Sequence, residues 1–361
     1  MTNEKQKKWR KWVLTGIFVA INITVIVATA INEFGNSSNA AELSEVKLNW
    51  WMLLPATICF VVAILACVLK YVLMIRESLT PETKMARRQI WKTSWRVLML
   101  GRYYDNVTPA SIGGQPFQIY YMRKHSGLES GHSTSIPIFA MIASQVGFLI
   151  VAFCCLASGE IFRENPALIV TSIIGLLFYA FWPVMVAGTT FLPKQTSQFL
   201  QFVVKVLAKI KIVKKREAAL GKVERNVTRY ADSVKVILKN KWLSARVILL
   251  SVVYNFLISV IPYFVLKAFG GDMDFFRCLA TTVVVTSAVY FVPTPGNAGA
   301  AEGTFYAVFS SLSTGYVFWA MLVWRFFTYY SYVIVGPLIY LHMHIEKKHN
   351  QKPGEHEKGI I

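Results

Sequence analysis

The 361-residue chain is 55% hydrophobic and 14% aromatic, with only 16% of its residues charged and a net charge of +19. Soluble domains carry about 25% charged residues, and here the charges sit between long apolar runs, which excludes an ordinary soluble globular fold. Nucleic-acid binding, which the basic balance could suggest, is not expected, because no folded module sets the cations against phosphates.

A helix crosses the ~30 Å hydrocarbon core with about 20 mostly apolar residues, and in lipid it satisfies its own backbone hydrogen bonds. The first such run, 13–31, follows Lys5, Lys7, Lys8, Arg10 and Lys11. It is longer than a signal-peptide core and is read as a retained span. Glu33, Glu42 and Glu45 follow it, against Lys47. The second span, 51–75, is followed by Arg76, Lys84, Arg87, Arg88, Lys92 and Arg96. Residues 97–122 are apolar but broken by Pro and Gly, and run into Arg123 and Lys124. Spans at 136–158 and 167–192 flank a loop holding Glu160, Glu164 and Arg163. Residues 194–246 carry 14 Lys and Arg against Glu217, Glu224 and Asp232. A span at 247–266 precedes Asp272, Asp274 and Arg277, a second broken segment at 275–312, a final span at 317–341, and Lys347, Lys348 and Lys352.

Lys and Arg mark cytoplasmic loops, and the signs alternate along this order without conflict. The expectation is an all-α polytopic membrane protein with six full spans, both termini cytoplasmic. A single transmembrane domain occupies 1–346 and a short tail 347–361. Each broken segment then starts and ends on one side, and the two approach from opposite faces. Charge leaves open whether each is a re-entrant hairpin or a pair of short spans.

The breaks resemble each other: Thr108-Pro109 with Gly113 and Gly114, and Thr294-Pro295-Gly296 with Gly299. Thr-Pro with Gly four residues after the Pro occurs in both. Interrupted apolar segments in corresponding positions of two halves point to an inverted repeat around a midplane binding site. The second limb of each would open on free N–H groups suited to phosphate or carboxylate, with Pro116 in the first turn of one limb and Asn297 as N-cap of the other. Arg325 lies inside the last span and Glu302 just after the second break; Asp105 precedes the first break with Arg102 nearby. Intramembrane charge marks a pathway by default. Glu302 and Arg325 could pair with each other, as a structural contact or as a gate at a bilayer-depth cavity, whereas Arg102 and Arg123 fit the cytoplasmic interface.

Within 194–246, Phe199, Phe202, Val203, Val206, Leu207 and Ile210 fall at helical spacing, and Leu220 to Ile237 repeat the pattern. Two amphipathic helices follow, either interfacial and drawn to anionic lipid or an ordinary cytosolic hairpin. Trp91 and Trp95, one turn apart among basic residues, suit an interface anchor. The five cysteines sit in or beside apolar runs without a Cys-x-x-Cys pair, and His342 and His344 are two apart. No metal and no cofactor are expected.

The run GRYYDNVTPASIGGQPFQIYYMR from Gly101 to Arg123, followed by PTPGNAGAAEGTF from Pro293 to Phe305, resembles the lysylphosphatidylglycerol synthase transmembrane-region family. This is the flippase-like half of the bacterial multiple peptide resistance factor. The resemblance implies a lipid translocase of the bacterial plasma membrane, handling anionic or aminoacylated phospholipid. It implies membrane phospholipids as partners, with a separate synthase and a homodimer as further candidates. Gln115 and Gln118 stand where many relatives carry an acidic residue and an Arg. On this reading Asp105, Asn106, Thr108, Pro109, Gly113, Gly114, Arg123, Thr294, Pro295, Gly296, Gly299, Glu302 and Arg325 line the path, with Glu302 and Arg325 governing headgroup entry. No Gly-x-x-x-x-Gly-Lys-Ser/Thr motif is present. Aminoacyl transfer from tRNA is the competing enzyme reading, but the longest polar stretch, 194–246, is short for a catalytic domain. A scaffold or small-molecule transporter of the same fold is the other alternative.

Overall fold

The computed structural model describes residues 46–350 apart from 82, 112, 129, 160–165, 210–234, 236, 291 and 313–315, together with Val27 and Ile31. The expected first span at 13–31, its acidic loop, the acidic loop at 160–164 and most of the second amphipathic stretch lie outside the described residues. Among the described residues every regular element is helical. In chain order these are α1 (Leu53–Glu77), α2 (Arg87–Val107), α3 (Gly114–His125), α4 (Ser130–Ala157), α5 (Pro166–Phe191) and α6 (Pro193–Lys209). They continue as α7 (Lys241–Ala268), α8 (Phe275–Val289), α9 (Ala300–Leu312), α10 (Val317–Arg325) and α11 (Ser331–Asn350). Five stretches are long and apolar enough to cross a membrane: Trp50–Glu77, Gly131–Ala157, Pro166–Phe191, Lys241–Ala268 and Val317–Glu346. They coincide with the five expected spans that fall within the described residues, and the chain is a multi-pass membrane protein.

Local chemistry sets the ends of these helices. The Asp274 side chain accepts from the backbone N–H groups of Phe276 and Arg277 (2.9 and 3.1 Å) and caps α8. Asn240 caps α7 through Leu243 N–H at 2.9 Å. The other end of α7 closes on Gly270 at φ 82°, with Gly271 N–H on Leu266 C=O (2.8 Å) and Gly270 N–H on Lys267 C=O (3.4 Å). That pair of bonds is a Schellman turn, and the positive φ at its hinge favours glycine. The last span is one continuous stretch in which Phe326–Tyr330 forms a π-helical turn between α10 and α11. Helix α6 is present as its spacing predicts, with Phe199 and Phe202 exposed.

Helix α7 is the hub, packed on α1, α4, α8 and α10. Together α1 and α7 bridge two cores. Near the end of α1, Ala63 to Ile75 and Val247 and Tyr254 of α7 join α2, α3 and α4. Near its start, Ala56 joins Ile261, Val265 and Leu266 of α7, and α8, α9 and α10. The first broken segment, α2–α3, therefore belongs to one end of the α1–α7 pair, and the second, α8–α9, to the other.

Small residues set the closest helix approaches, as membrane packing favours. A Cβ on Gly175 of α5 would fall 1.8 Å from Ser287 C=O of α8, beside a bond from Ser172 Oγ to Val284 C=O of 2.9 Å. Gly175→Val is accordingly expected to separate the two helices and cost about 1–3 kcal/mol, read as a lower melting temperature in detergent. An unchanged melting temperature would contradict this contact.

Candidate functional site

The two breaks are built alike. In each, a Thr-Pro pair opens a 3-10 turn, Pro109–Ser111 and Pro295–Asn297. Two residues after the proline the backbone is left-handed, at φ 51° for Ser111 and 55° for Asn297. That residue's N–H returns to the threonine carbonyl, at 3.2 Å from Ser111 to Thr108 and 3.1 Å from Asn297 to Thr294. Proline fixes the first turn position and supplies no donor; the second turn also carries a left-handed Gly296 (φ 58°), so the two turns share their closing bond without sharing every dihedral.

The turns pack against each other. Asn106 Nδ2 donates to Tyr329 C=O at 3.5 Å. Gly296 lies on the Tyr329 ring: its φ is 58°, and a Cβ there would come 2.3 Å from the ring and 3.4 Å from Asn106 C=O. Only glycine fits that junction.

In each segment a carboxylate meets the opening N–H groups of the second limb, Asp105 from the first limb and Glu302 from the second limb itself. Gly114 N–H donates to Asp105 Oδ1 at 2.9 Å, and Gly113 N–H to Thr108 Oγ1 at 2.9 Å. Gly299 N–H donates to Glu302 Oε2 at 2.7 Å. The expectation that Asn297 caps the second limb is corrected: the limb begins at Ala300, directly after Gly299, and Asn297 stays in the turn because its φ is left-handed. The Thr108 hydroxyl donates to Tyr104 C=O (2.7 Å) and the Thr294 hydroxyl to Ala298 C=O (3.0 Å), so both close local turns. Pro116 stands in the first turn of α3, where its missing N–H costs no helical bond.

Glu302 and Arg325 do pair. Arg325 Nε meets Glu302 Oε1 at 2.6 Å, both side chains being buried. Arg325 Nη2 also donates to Gly296 C=O at 3.3 Å, and its guanidinium lies 5.5 and 5.1 Å from the Trp324 and Tyr329 ring centroids. The arginine thus ties the last span to the second turn. The π-helical turn begins at the next residue, a wide turn of the kind found at functional sites.

Behind the junction lies a cavity of about 700 Å³. Of the sequence-predicted residues, Asp105, Asn106, Gly296 and Arg325 line it. Arg123 does not; its guanidinium is exposed and donates to Thr134 Oγ1 at 2.9 Å. The wall also holds groups that sequence reasoning missed or set aside, chiefly Lys70 of α1, Arg102 of α2 and Gln145 of α4. Lys70 is 1% exposed. Arg102, expected at the cytoplasmic interface, instead donates from Nη2 to Tyr254 Oη of α7 at 3.0 Å. The signal that could have found Lys70 is a single cation inside an otherwise uncharged span, which by default is functional.

The family model described as the lysylphosphatidylglycerol synthase TM region matches residues 13–336. No curated protein and no solved structure matches the chain.

Proposed function

Because the chain belongs to the lysylphosphatidylglycerol synthase transmembrane-region family, we propose that it moves phospholipid between the leaflets of a bacterial plasma membrane. The observation that carries this reading is the meeting of the two Thr-Pro turns beside one charged, polar-lined cavity. Unwound backbone at membrane depth is tolerated where it is buried in protein or borders a wet space. A volume of about 700 Å³ falls within the usual range of small-ligand sites and suits a headgroup, leaving the acyl chains in lipid.

The two broken segments act as re-entrant hairpins, one from each face. Their membership of the cores at opposite ends of α1 and α7 supports this, as does the alternation of loop charges with both termini cytoplasmic. The Glu302–Arg325 pair stands at the junction as the gate. A separate synthase would supply lipid to such a protein, and a second copy of the chain is a further partner.

The test is reconstitution into liposomes with a leaflet-specific assay of labelled phospholipid. Exchange faster than in protein-free vesicles is expected. Equal rates with and without protein would remove the translocase reading.

A further inference from the structure

The charge state of Lys70 follows from its neighbours. Its Nζ lies 2.6 Å from Ser144 Oγ, 3.2 Å from Ala140 C=O and 3.3 Å from Ser251 Oγ. Ser144 spends its own proton on Ala140 C=O (3.0 Å) and Ser251 spends its proton on Val247 C=O (2.9 Å). Both hydroxyls therefore offer only lone pairs to Lys70, which faces three acceptors. Three acceptors call for three N–H donors, and only an ammonium has them. Three surrounding acceptors suit the ammonium form of Lys70, and no described carboxylate pairs with it.

Arg102 adds a second cation. One of its five N–H donors goes to Tyr254, and no described carboxylate lies in ion-pair contact with its guanidinium either. Among the described residues, the only other charged side chains on the wall are Asp105, held by Gly114 N–H, and Arg325, neutralised by Glu302. Three cations against two carboxylates leave the cavity positive. Burying a cation without a counter-charge is costly, so an anion entering this space is favoured and a further cation opposed. Gln145 adds a second recognition element. It lines the cavity and is 6% exposed, its Nε2 donates to Tyr290 Oη at 3.2 Å, and its Oε1 is buried without a described partner. A turn of the Gln145 side chain toward the cavity brings that orphan acceptor to a ligand donor.

We infer that this cavity selects a phospholipid of net negative charge with a neutral hydroxyl-bearing headgroup: its phosphodiester sits against Arg102 and Lys70 and its hydroxyl donates to Gln145. Arg102 makes the direct phosphate contact with its free N–H donors, and Lys70 supplies charge from behind. A lysyl-aminoacylated lipid, whose two ammonium groups outweigh its phosphate, is disfavoured. The inference rests on the translocase reading for its lipid, and it departs from the aminoacylated substrate that the family description suggests.

The experiment is equilibrium lipid binding to the full chain in detergent, with leaflet exchange measured in parallel on liposomes. Phosphatidylglycerol is expected to bind about tenfold tighter than lysylphosphatidylglycerol or phosphatidylethanolamine. Lys70→Gln and Arg102→Gln each remove about tenfold of that affinity while Lys70→Arg and Arg102→Lys keep the preference. Gln145→Leu weakens phosphatidylglycerol but not phosphatidylmethanol, an anionic lipid without the hydroxyl. Soluble glycerol 3-phosphate competes poorly. Equal or tighter binding of the aminoacylated lipid by the unmodified chain overturns the inference without any variant, and effective competition by glycerol 3-phosphate reassigns the site to soluble organophosphates. Selective binding without exchange retires translocation and keeps the anion site; exchange with unselective binding does the reverse.

Discussion

Arg325→Ala is expected to destabilise the protein by about 3–5 kcal/mol and to abolish lipid exchange. The arginine bonds the buried Glu302 carboxylate at 2.6 Å and the Gly296 carbonyl at 3.3 Å. Truncating it leaves a carboxylate with no counter-charge and a turn carbonyl without that donor. Stability and function must be separated to read this result. The double variant Glu302→Gln/Arg325→Met removes both charges, and exchanging a buried ion pair for a neutral one is often tolerated. It should recover most of the melting temperature yet remain inactive if the pair gates passage. Wild-type exchange in the double variant would reduce the pair to a structural role.

Gly296→Ala carries the second large effect, a loss of roughly 2–4 kcal/mol. Two causes add: a left-handed φ of 58°, and a Cβ placed 2.3 Å from the Tyr329 ring. Only the second can be relieved elsewhere. Gly296→Ala/Tyr329→Leu should regain part of the melting temperature, because it opens space without changing φ. A single variant as stable as the parent would mean that Gly296 and the Tyr329 ring do not meet at this distance.

Much of the architecture is legible in the sequence because hydropathy and loop charge act over whole segments. The last five expected spans sit where the apolar runs place them, and the Thr-Pro-x-x-x-Gly repeat announces two turns closed by the same bond. Even the Glu302–Arg325 partnership could be anticipated, since two lone charges at membrane depth need each other. What stayed hidden depends on three-dimensional approach. Lys70 is the one charge between Leu53 and Ile75 of its helix and barely alters its apolar character; its acceptors come from α4 and α7, distant in sequence. Arg102 lies within a basic region, so a loop-charge count assigns it to the interface, although the fold turns it onto Tyr254. Asn297 has the right chemistry for a helix cap, but its left-handed backbone keeps it in the turn, and Glu302 reaches back to Gly299 instead. The carboxylates also enter differently: Asp105 comes from the incoming limb of its segment and Glu302 from the outgoing limb of the other. The repeat therefore fixes the turns without fixing their capping.

The bare glycine where the second turn meets the last span has a mechanical consequence. Interlocked side chains resist shear, because each must leave its slot before the surfaces can slide. At Gly296 no side chain projects, and the opposing surface is the flat face of Tyr329, with one long bond of 3.5 Å from Asn106 close by. A junction of that kind has little to unhook, and small sliding displacements of packed elements are a recognised form of conformational change. The stiff fastening is the Arg325 ion pair, which joins the second turn to the last span. Arg325 and Tyr329 both belong to the last span, so that span meets the second turn through one stiff fastening and one smooth face.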